Sequence, residues 1–214
     1  MKKFLLALVL MVPMLAFTGC GSDDEPEDPI SVSDQSLLVG QTYTLPKGAW
    51  TSSNDVIAKV EDGKVVAMRR GEATIKCGAT SFKVEVEPSN NIIPDPCLQF
   101  GAKQDVISDY MASLGMFNRP GLSLSMTYVS SKPYILGYQY DFKNYEGLQS
   151  VTVMAFKKEI SELEIAEYLK QRYVPVMEEN GVFGFLSPDK KIVVAFTMEV
   201  IKGNVTYLIK YTPN

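Results

Sequence analysis

Histidine is absent from the 214 residues of this chain. Histidine is the commonest general base in enzymes and the commonest ligand of transition metals in proteins. Its absence excludes Ser-His-Asp triads, Cys-His dyads and zinc sites that use imidazole. The chain has only three cysteines, too few for a structural zinc site if one of them is modified. We therefore predict no catalytic residues, no metal, no cofactor and no enzymatic activity.

Basic residues are also fewer than acidic residues. The chain carries 21 lysines and arginines against 25 aspartates and glutamates, a formal net charge of −4. A nucleic-acid-binding surface needs a basic patch that meets phosphates. We therefore expect no nucleic-acid partner.

The one long apolar run lies near the N-terminus, at residues 4–17. It is shorter than the roughly 20 residues that span a bilayer. Two lysines precede it and small residues follow it, which is the pattern of a secretory signal over residues 1–19. The next residue, Cys20, resembles the cysteine of a bacterial lipobox. That resemblance implies a lipid on the Cys20 thiol and the membrane as a partner; a plain signal peptide with a coincidental cysteine is the alternative.

An acidic segment follows the cysteine. Residues 20–29 contain five carboxylates and two prolines, a composition that buries too little apolar surface to fold. We expect an extended tether that reaches roughly 30 Å. The acidic run resembles the surface-export signal of lipoproteins from the Bacteroidetes. This implies an outer-membrane lipoprotein exposed at the cell surface, with a periplasm-facing orientation as the alternative.

Residues 30–88 have the pattern of short strands separated by turns. We predict strands at 30–33, 42–45, 57–60 and 64–68, and a hairpin over 73–86. Many short strands at regular spacing are typical of a β-sandwich.

Five pieces of this region carry a more specific pattern. They are Val39-Gly40-Gln41-Thr42, Trp50-Thr51-Ser52-Ser53-Asn54, Ile57-Ala58-Lys59-Val60, Asp62-Gly63-Lys64-Val65 and Gly71-Glu72-Ala73-Thr74-Ile75. Their order and spacing resemble the bacterial Ig-like group 2 domain. The resemblance implies an immunoglobulin-like sandwich of a kind common in surface and adhesion proteins. We expect Trp50, the single tryptophan, to fill the sandwich core, with ligand stacking as the alternative.

Residues 89–97 are rich in proline and asparagine and are predicted to be a linker. Residues 98–214 then alternate between helical and strand periods. We predict a helix over 103–114, strands at 122–129, 134–142 and 148–157, a second helix after a capping box at Ser161, and strands at 182–186, 191–200 and 205–211. The second helix is expected to bury Leu163 and Ala166. The repeated α-β-β-β order, at a spacing of 55–58 residues, suggests an α+β domain that is internally duplicated, with both helices on one face of an antiparallel sheet.

Cys77 and Cys97 remain once Cys20 is assigned to the lipid. The two thiols either pair, which would join the two modules, or stay separate with Cys77 packed as a small apolar side chain.

Five tyrosines lie between residues 128 and 145. Tyr138 and Tyr140 are expected on the core face of their strand. Tyr128, Tyr134 and Tyr145 lie near strand ends and are the candidates for an exposed patch that contacts a protein or glycan.

These observations favour a lipid-anchored cell-surface protein with an Ig-like stalk and an α+β head that binds a protein or glycan, as in adhesion. The alternative is a structural or assembly subunit of an outer-membrane complex without an external ligand. A glycosidase with two carboxylates is a third hypothesis. It is disfavoured because the acids are scattered: Asp105 and Asp109, for example, share a polar helix face and are expected to be solvated.

Overall fold

Strands dominate the described part of this protein, where they form three sheets. The computed structural model describes residues 31–119, 124–143 and 147–214. Half of the chain is in strands, and about a tenth is in two helices. The prediction of a β-rich fold with antiparallel sheets is confirmed at this level.

The first seven strands form two small sheets. They are β1 (Gln35–Leu38), β2 (Thr42–Thr44), β3 (Thr51–Ser52), β4 (Ala58–Glu61), β5 (Lys64–Ala67), β6 (Gly71–Cys77) and β7 (Thr80–Glu87). One sheet has the order β1-β7-β6-β3 and the other the order β2-β5-β4. The predicted first strand at 30–33 is wrong where the structure describes it: residues 31–34 lie outside strands, and β1 starts at Gln35 because Leu37 is the side chain that is buried.

Aromatic side chains join the two small sheets. The ring of Tyr43, on β2, meets the ring of Phe82, on β7, edge-on at 5.7 Å between centroids. Trp50 meets the same Phe82 ring at 5.7 Å and donates its indole N–H to the carbonyl of Pro46 at 2.8 Å. The side chain is buried, as expected for a core residue.

Residues 104–213 contain both helices and the large sheet. Their elements are α1 (Gln104–Ser113), β8 (Phe117–Arg119), β9 (Ser125–Val129), β10 (Ile135–Phe142), β11 (Leu148–Phe156), α2 (Glu162–Lys170), β12 (Val174–Glu179), β13 (Val182–Leu186), β14 (Ile192–Ile201) and β15 (Asn204–Pro213). The sheet order is β12-β13-β14-β15-β11-β10-β9-β8, with every printed pair antiparallel. Each half is a helix followed by a four-stranded meander, and the last strands of the halves, β11 and β15, pair at the centre.

The sequence predicted three strands in each half, but the structure has four. The missed strands, β8 and β12, are the two edges of the sheet and carry mostly exposed side chains. β12 also contains Pro175, a residue that is tolerated only at edges because it cannot donate to a ladder. The spacing agrees with the prediction, since α2 starts 58 residues after α1 and β14 starts 57 residues after β10.

Both helices pack on one face of the large sheet. Ile107 and Met111 of α1 share a buried core with Ile165 and Leu169 of α2 and with the inward side chains of the strands. The predicted capping box is confirmed: Ser161 Oγ accepts from the N–H of Glu164 at 3.2 Å, and Glu164 Oε2 accepts from the N–H of Ser161 at 2.8 Å.

The predicted burial of Leu163 is wrong, because this side chain is 77% exposed. The cap fixes where the first turn of α2 begins, and the stripe that faces the sheet then runs through Ile165, Tyr168 and Leu169.

Candidate functional site

Cys77 and Cys97 are free thiols. Cys77 is half-buried at the end of β6, whereas Cys97 is buried and its backbone N–H donates to the hydroxyl of Tyr140 at 3.1 Å. Cys77 Sγ lies against Gly48, beside Trp50. Each thiol therefore belongs to a different core, and the disulfide considered from the sequence is not formed. Cys20 lies outside the described residues.

The predicted tyrosine patch is contradicted at Tyr128. Tyr128 is 2% exposed, so the expectation that it is accessible is wrong. Its strand register explains this: Tyr128 pairs with Tyr138 and points to the helix side of the sheet, where its hydroxyl shares a 3.0 Å hydrogen bond with Ser108. Tyr134 is half-buried, and Tyr145 lies outside the described residues.

The tyrosine hydroxyls instead hold the chain that connects the first seven strands to α1. We call residues 92–97 of this connection the strap. Four tyrosines bind its backbone: Tyr134 donates to Ile92 O (2.9 Å), Tyr138 to Pro94 O (2.8 Å) and Tyr110 to Asp95 O (3.0 Å), and Tyr140 accepts from Cys97 N (3.1 Å). Burial raises the pKa of Tyr138 and of Tyr140, so both hydroxyls keep their protons. Tyr138 and Tyr140 are core residues, as expected.

Asp95 is the charged centre of the strap. Its carboxylate accepts from Arg172 Nε at 2.8 Å, from the Tyr168 hydroxyl at 2.8 Å and from Arg70 Nη1 at 2.6 Å. Arg70 precedes β6, whereas Tyr168 and Arg172 belong to α2 and the turn after it. Burial opposes the charge on Arg70, but attraction to Asp95 and Glu87 outweighs it and raises the pKa of Arg70.

Arg172 also binds Asn90 and Asn91, which precede the strap. It donates to Asn90 O at 2.8 Å and to Asn91 Oδ1 at 2.7 Å, and its guanidinium lies 3.9 Å from the centre of the Tyr168 ring. The predicted linker is therefore anchored through contacts between residues about 80 positions apart. Residues 32–214 form one compact unit. Sequence reasoning missed both Asp95 and Arg172, and nothing in their local sequence distinguishes them from surface residues.

The face of the large sheet opposite the helices remains uncovered by them; we call it the open face. Side chains alternate between the two faces of a strand, so the register assigns its members. Those in β8, β9, β10, β11 and β15 include Phe117, Arg119, Ser125, Thr127, Val129, Gln139, Asp141, Ser150, Thr152, Met154, Leu208 and Lys210. Most of them are half-buried, and Phe117, Arg119 and Lys210 are exposed.

Asp141 is the described carboxylate on this part of the open face. Oδ1 accepts from Ser125 Oγ at 3.1 Å and from Gln139 Nε2 at 2.9 Å, and Oδ2 accepts from Ser150 Oγ at 3.1 Å. These three neutral donors hold the carboxylate in one orientation and disperse its charge.

Two grooves lie elsewhere on the surface. One, of about 470 Å³, runs between the turn after β11 and the β14–β15 hairpin and is lined by Phe156, Lys157, Lys158, Asn204 and Val205. The other, of about 330 Å³, lies between α2 and the β12 edge and is mostly apolar, with Phe183, Phe185 and Phe196 in its wall. Within the described ranges, no three His, Cys, Asp or Glu side chains are close enough to hold a metal ion. Asp105 and Asp109 are both exposed on α1.

No helix in the described part of the chain has the length and apolar character needed to cross a bilayer. Comparison with known proteins adds no assignment: no family model matches the chain, and neither a curated protein nor a solved structure matches it.

Proposed function

We propose that this protein is a lipid-anchored outer-membrane protein, exposed at the cell surface, in which a stalk carries a binding head for a protein or glycan. The acyl chains are attached to Cys20, and residues 21–29 form the acidic tether. The first seven strands are the stalk, an Ig-like sandwich. Residues 98–214 are the head, an α+β domain.

One observation carries the stalk assignment. β1 pairs with β7 in parallel, from Gln35 beside Val84 to Leu38 beside Glu87. The chain therefore enters the two small sheets beside the middle of β7 and leaves them from the end of that strand. The side chain of Asp34 accepts from the N–H of Lys83 at 2.8 Å, which fixes the point of entry. Four residues of extended strand separate the points of entry and exit by roughly 13 Å.

This path suits a spacer. A chain that entered and left at the same end would hold the head close to its tether. With entry and exit roughly 13 Å apart along β7, the small sheets add that distance between tether and head. The strap then transmits the orientation of the stalk to the head, because Asp95 is bound at once by Arg70 and by Arg172.

The open face supports binding as the role of the head. Sheet faces in compact domains are normally covered by a second layer, and here both helices lie on the other side. A partly exposed sheet surface with a few convergent polar groups fits recognition of another molecule, whereas the described residues contain no catalytic triad.

The test uses the full-length protein in its own cells. Cells that express the wild type or Cys20→Ser are labelled with radioactive palmitate, and intact cells are then treated with an external protease. We expect label in the wild type alone and degradation of the wild-type protein from outside. Full-length protein held on vesicles should also retain a partner from envelope extract that an unrelated lipoprotein does not retain. Label in Cys20→Ser, or complete protection from protease, would contradict the proposed location; an empty vesicle fraction would contradict the binding role.

A further inference from the structure

The geometry points to one class of partner: we propose that the open face docks an acidic surface of a protein, through an apolar stripe bordered by two exposed cations. This inference rests on the proposed binding role of the head and adds the site and the chemistry of the partner.

The apolar stripe crosses the sheet from its β8 edge. Phe117 is 71% exposed and pairs with Val129, and Met154 pairs with Leu208 on the same face. Gly137 lies between them on β10 and pairs with Met154. A Cβ on Gly137 would lie 2.7 Å from the carbonyl oxygen of Tyr128, so this position stays without a side chain and leaves a notch in the stripe.

Two cations lie in the next row. Arg119 pairs with Thr127 on β8 and β9, and Lys210 pairs with Thr152 on β15 and β11; Gln139 pairs with both threonines. Arg119 and Lys210 are exposed, and neither forms an ion pair with another described residue. Four strand spacings separate the two, roughly 19 Å, which is a fitting width for a protein contact.

The helix side of the head carries more exposed acids than the part of the open face around Arg119 and Lys210. Exposed acids lie on the helices, with Asp105 and Asp109 on α1 and Glu164 and Glu167 on α2. On the part of the open face formed by β8 to β11 and β15, the Asp141 carboxylate is already bound by three donors. The exposed Glu199 of β14 and Glu179 of β12 share that face but lie beyond this part. An acidic partner is therefore repelled from the helix side and attracted to the open face, since complementary charge steers encounter and orientation.

The surface chemistry favours a protein over an anionic glycan. Sugar rings stack on exposed aromatic planes; among the described residues of the open face the exposed ring is Phe117, on the edge strand β8, and no tyrosine or tryptophan lies there. An apolar centre with methionine and a phenylalanine, bordered by arginine and hydroxyl groups, is instead the composition of protein interfaces.

The test is site-specific photocrosslinking of the full-length protein in its own cells. The photoreactive residue benzoylphenylalanine replaces Thr152, in the middle of the cation row, or Leu163, which is exposed on α2. We expect a protein adduct from position 152 and none from position 163. The double change Arg119→Glu with Lys210→Glu should lower the adduct yield about five-fold or more, because two attractions become repulsions.

The matched control is Lys103→Glu with Lys158→Glu, which alters the net charge equally at exposed positions outside the strands of the sheet; it should leave the yield unchanged. After the captured protein is identified, changing its acidic surface residues to lysine should restore capture by the Arg119→Glu, Lys210→Glu variant.

Three outcomes overturn the inference. An adduct from position 163 alone would leave the binding role intact and remove its assignment to the open face. A position-152 adduct that glycosidases digest and proteases do not would identify an anionic glycan. The absence of an adduct from position 152 would refute docking at this face, and retention of a partner on the vesicles described above would show that the binding role itself survives.

Discussion

Arg172 should be the residue on which the joint between stalk and head depends most. Its side chain is 2% exposed, and it donates hydrogen bonds to Asn90 and Asn91 as well as to Asp95. Arg70 binds the same carboxylate at a shorter distance, 2.6 Å against 2.8 Å, but is 46% exposed. Judged by distance alone, the Arg70 contact would contribute more to stability, whereas judged by burial the Arg172 contact contributes more.

The expected loss of unfolding free energy differs between substitutions of the two arginines. Removal of one partner from a buried ion pair costs about 3–5 kcal/mol, and Arg172→Met should lie near the lower end because Asp95 is 28% exposed and keeps Arg70 and Tyr168. An exposed pair is worth about 0–1 kcal/mol, so Arg70→Met should cost no more than that. For a unit of this size, about 3 kcal/mol corresponds to a fall in melting temperature of roughly 6–12 °C.

The assay is urea denaturation followed by two signals. Trp50 is the only tryptophan and lies in the stalk, so its fluorescence reports the stalk. The near-ultraviolet circular dichroism of the buried tyrosines reports the head. In the wild type the two transitions should coincide, as expected for one cooperative unit. In Arg172→Met both should move to lower urea and separate. Equal losses in Arg172→Met and Arg70→Met would refute the argument from burial.

Three further predictions concern the tyrosines, the sheet and the thiols. Burial raises the pKa of Tyr138, Tyr168 and other tyrosines of the head, so these side chains ionise at lower pH in the unfolded chain than in the folded one. The free energy of unfolding should therefore be unaffected by these groups below about pH 10 and fall above it, by about 1.4 kcal/mol per pH unit for each tyrosine. Urea denaturation at several pH values measures this. A flat profile up to pH 12 would contradict this. Gly137→Ala should destabilise the head by about 1–3 kcal/mol because its Cβ meets a backbone oxygen, and a melting temperature equal to that of the wild type would show that β9 and β10 adapt. Cys77 and Cys97 should both react with a thiol reagent after unfolding without reductant; no reaction would indicate a disulfide.

The sequence predicted elements whose signals are local. The Ser161 capping box, the strand before Phe142 and the hairpin that joins β6 to β7 all depend on residues near one another in the chain, and each is present. β12 was missed because Pro175 and the two glutamates at its end resemble a turn, although an edge strand tolerates all three.

The strap shows why other features could not be predicted. Its composition is that of a flexible linker, but its hydrogen bonds reach Tyr138, Tyr168 and Arg172, which are 44 to 77 positions away. No pattern of neighbouring residues in the sequence indicates hydrogen bonds between positions this far apart. For the same reason Tyr128 and Tyr134 were expected at the surface, since a tyrosine near a strand end is exposed unless a distant segment covers it.

The lipid anchor is the claim on which the location and the stalk both depend, and intact-protein mass spectrometry tests it most directly. The full-length gene product is extracted from membranes in mild detergent and weighed without digestion. We predict a chain that begins at Cys20, with a mass excess equal to that of thioether-linked diacylglycerol and an amide-linked acyl chain. A chain that still begins at Met1, or one that begins at Cys20 or Gly21 with no added mass, would contradict the account.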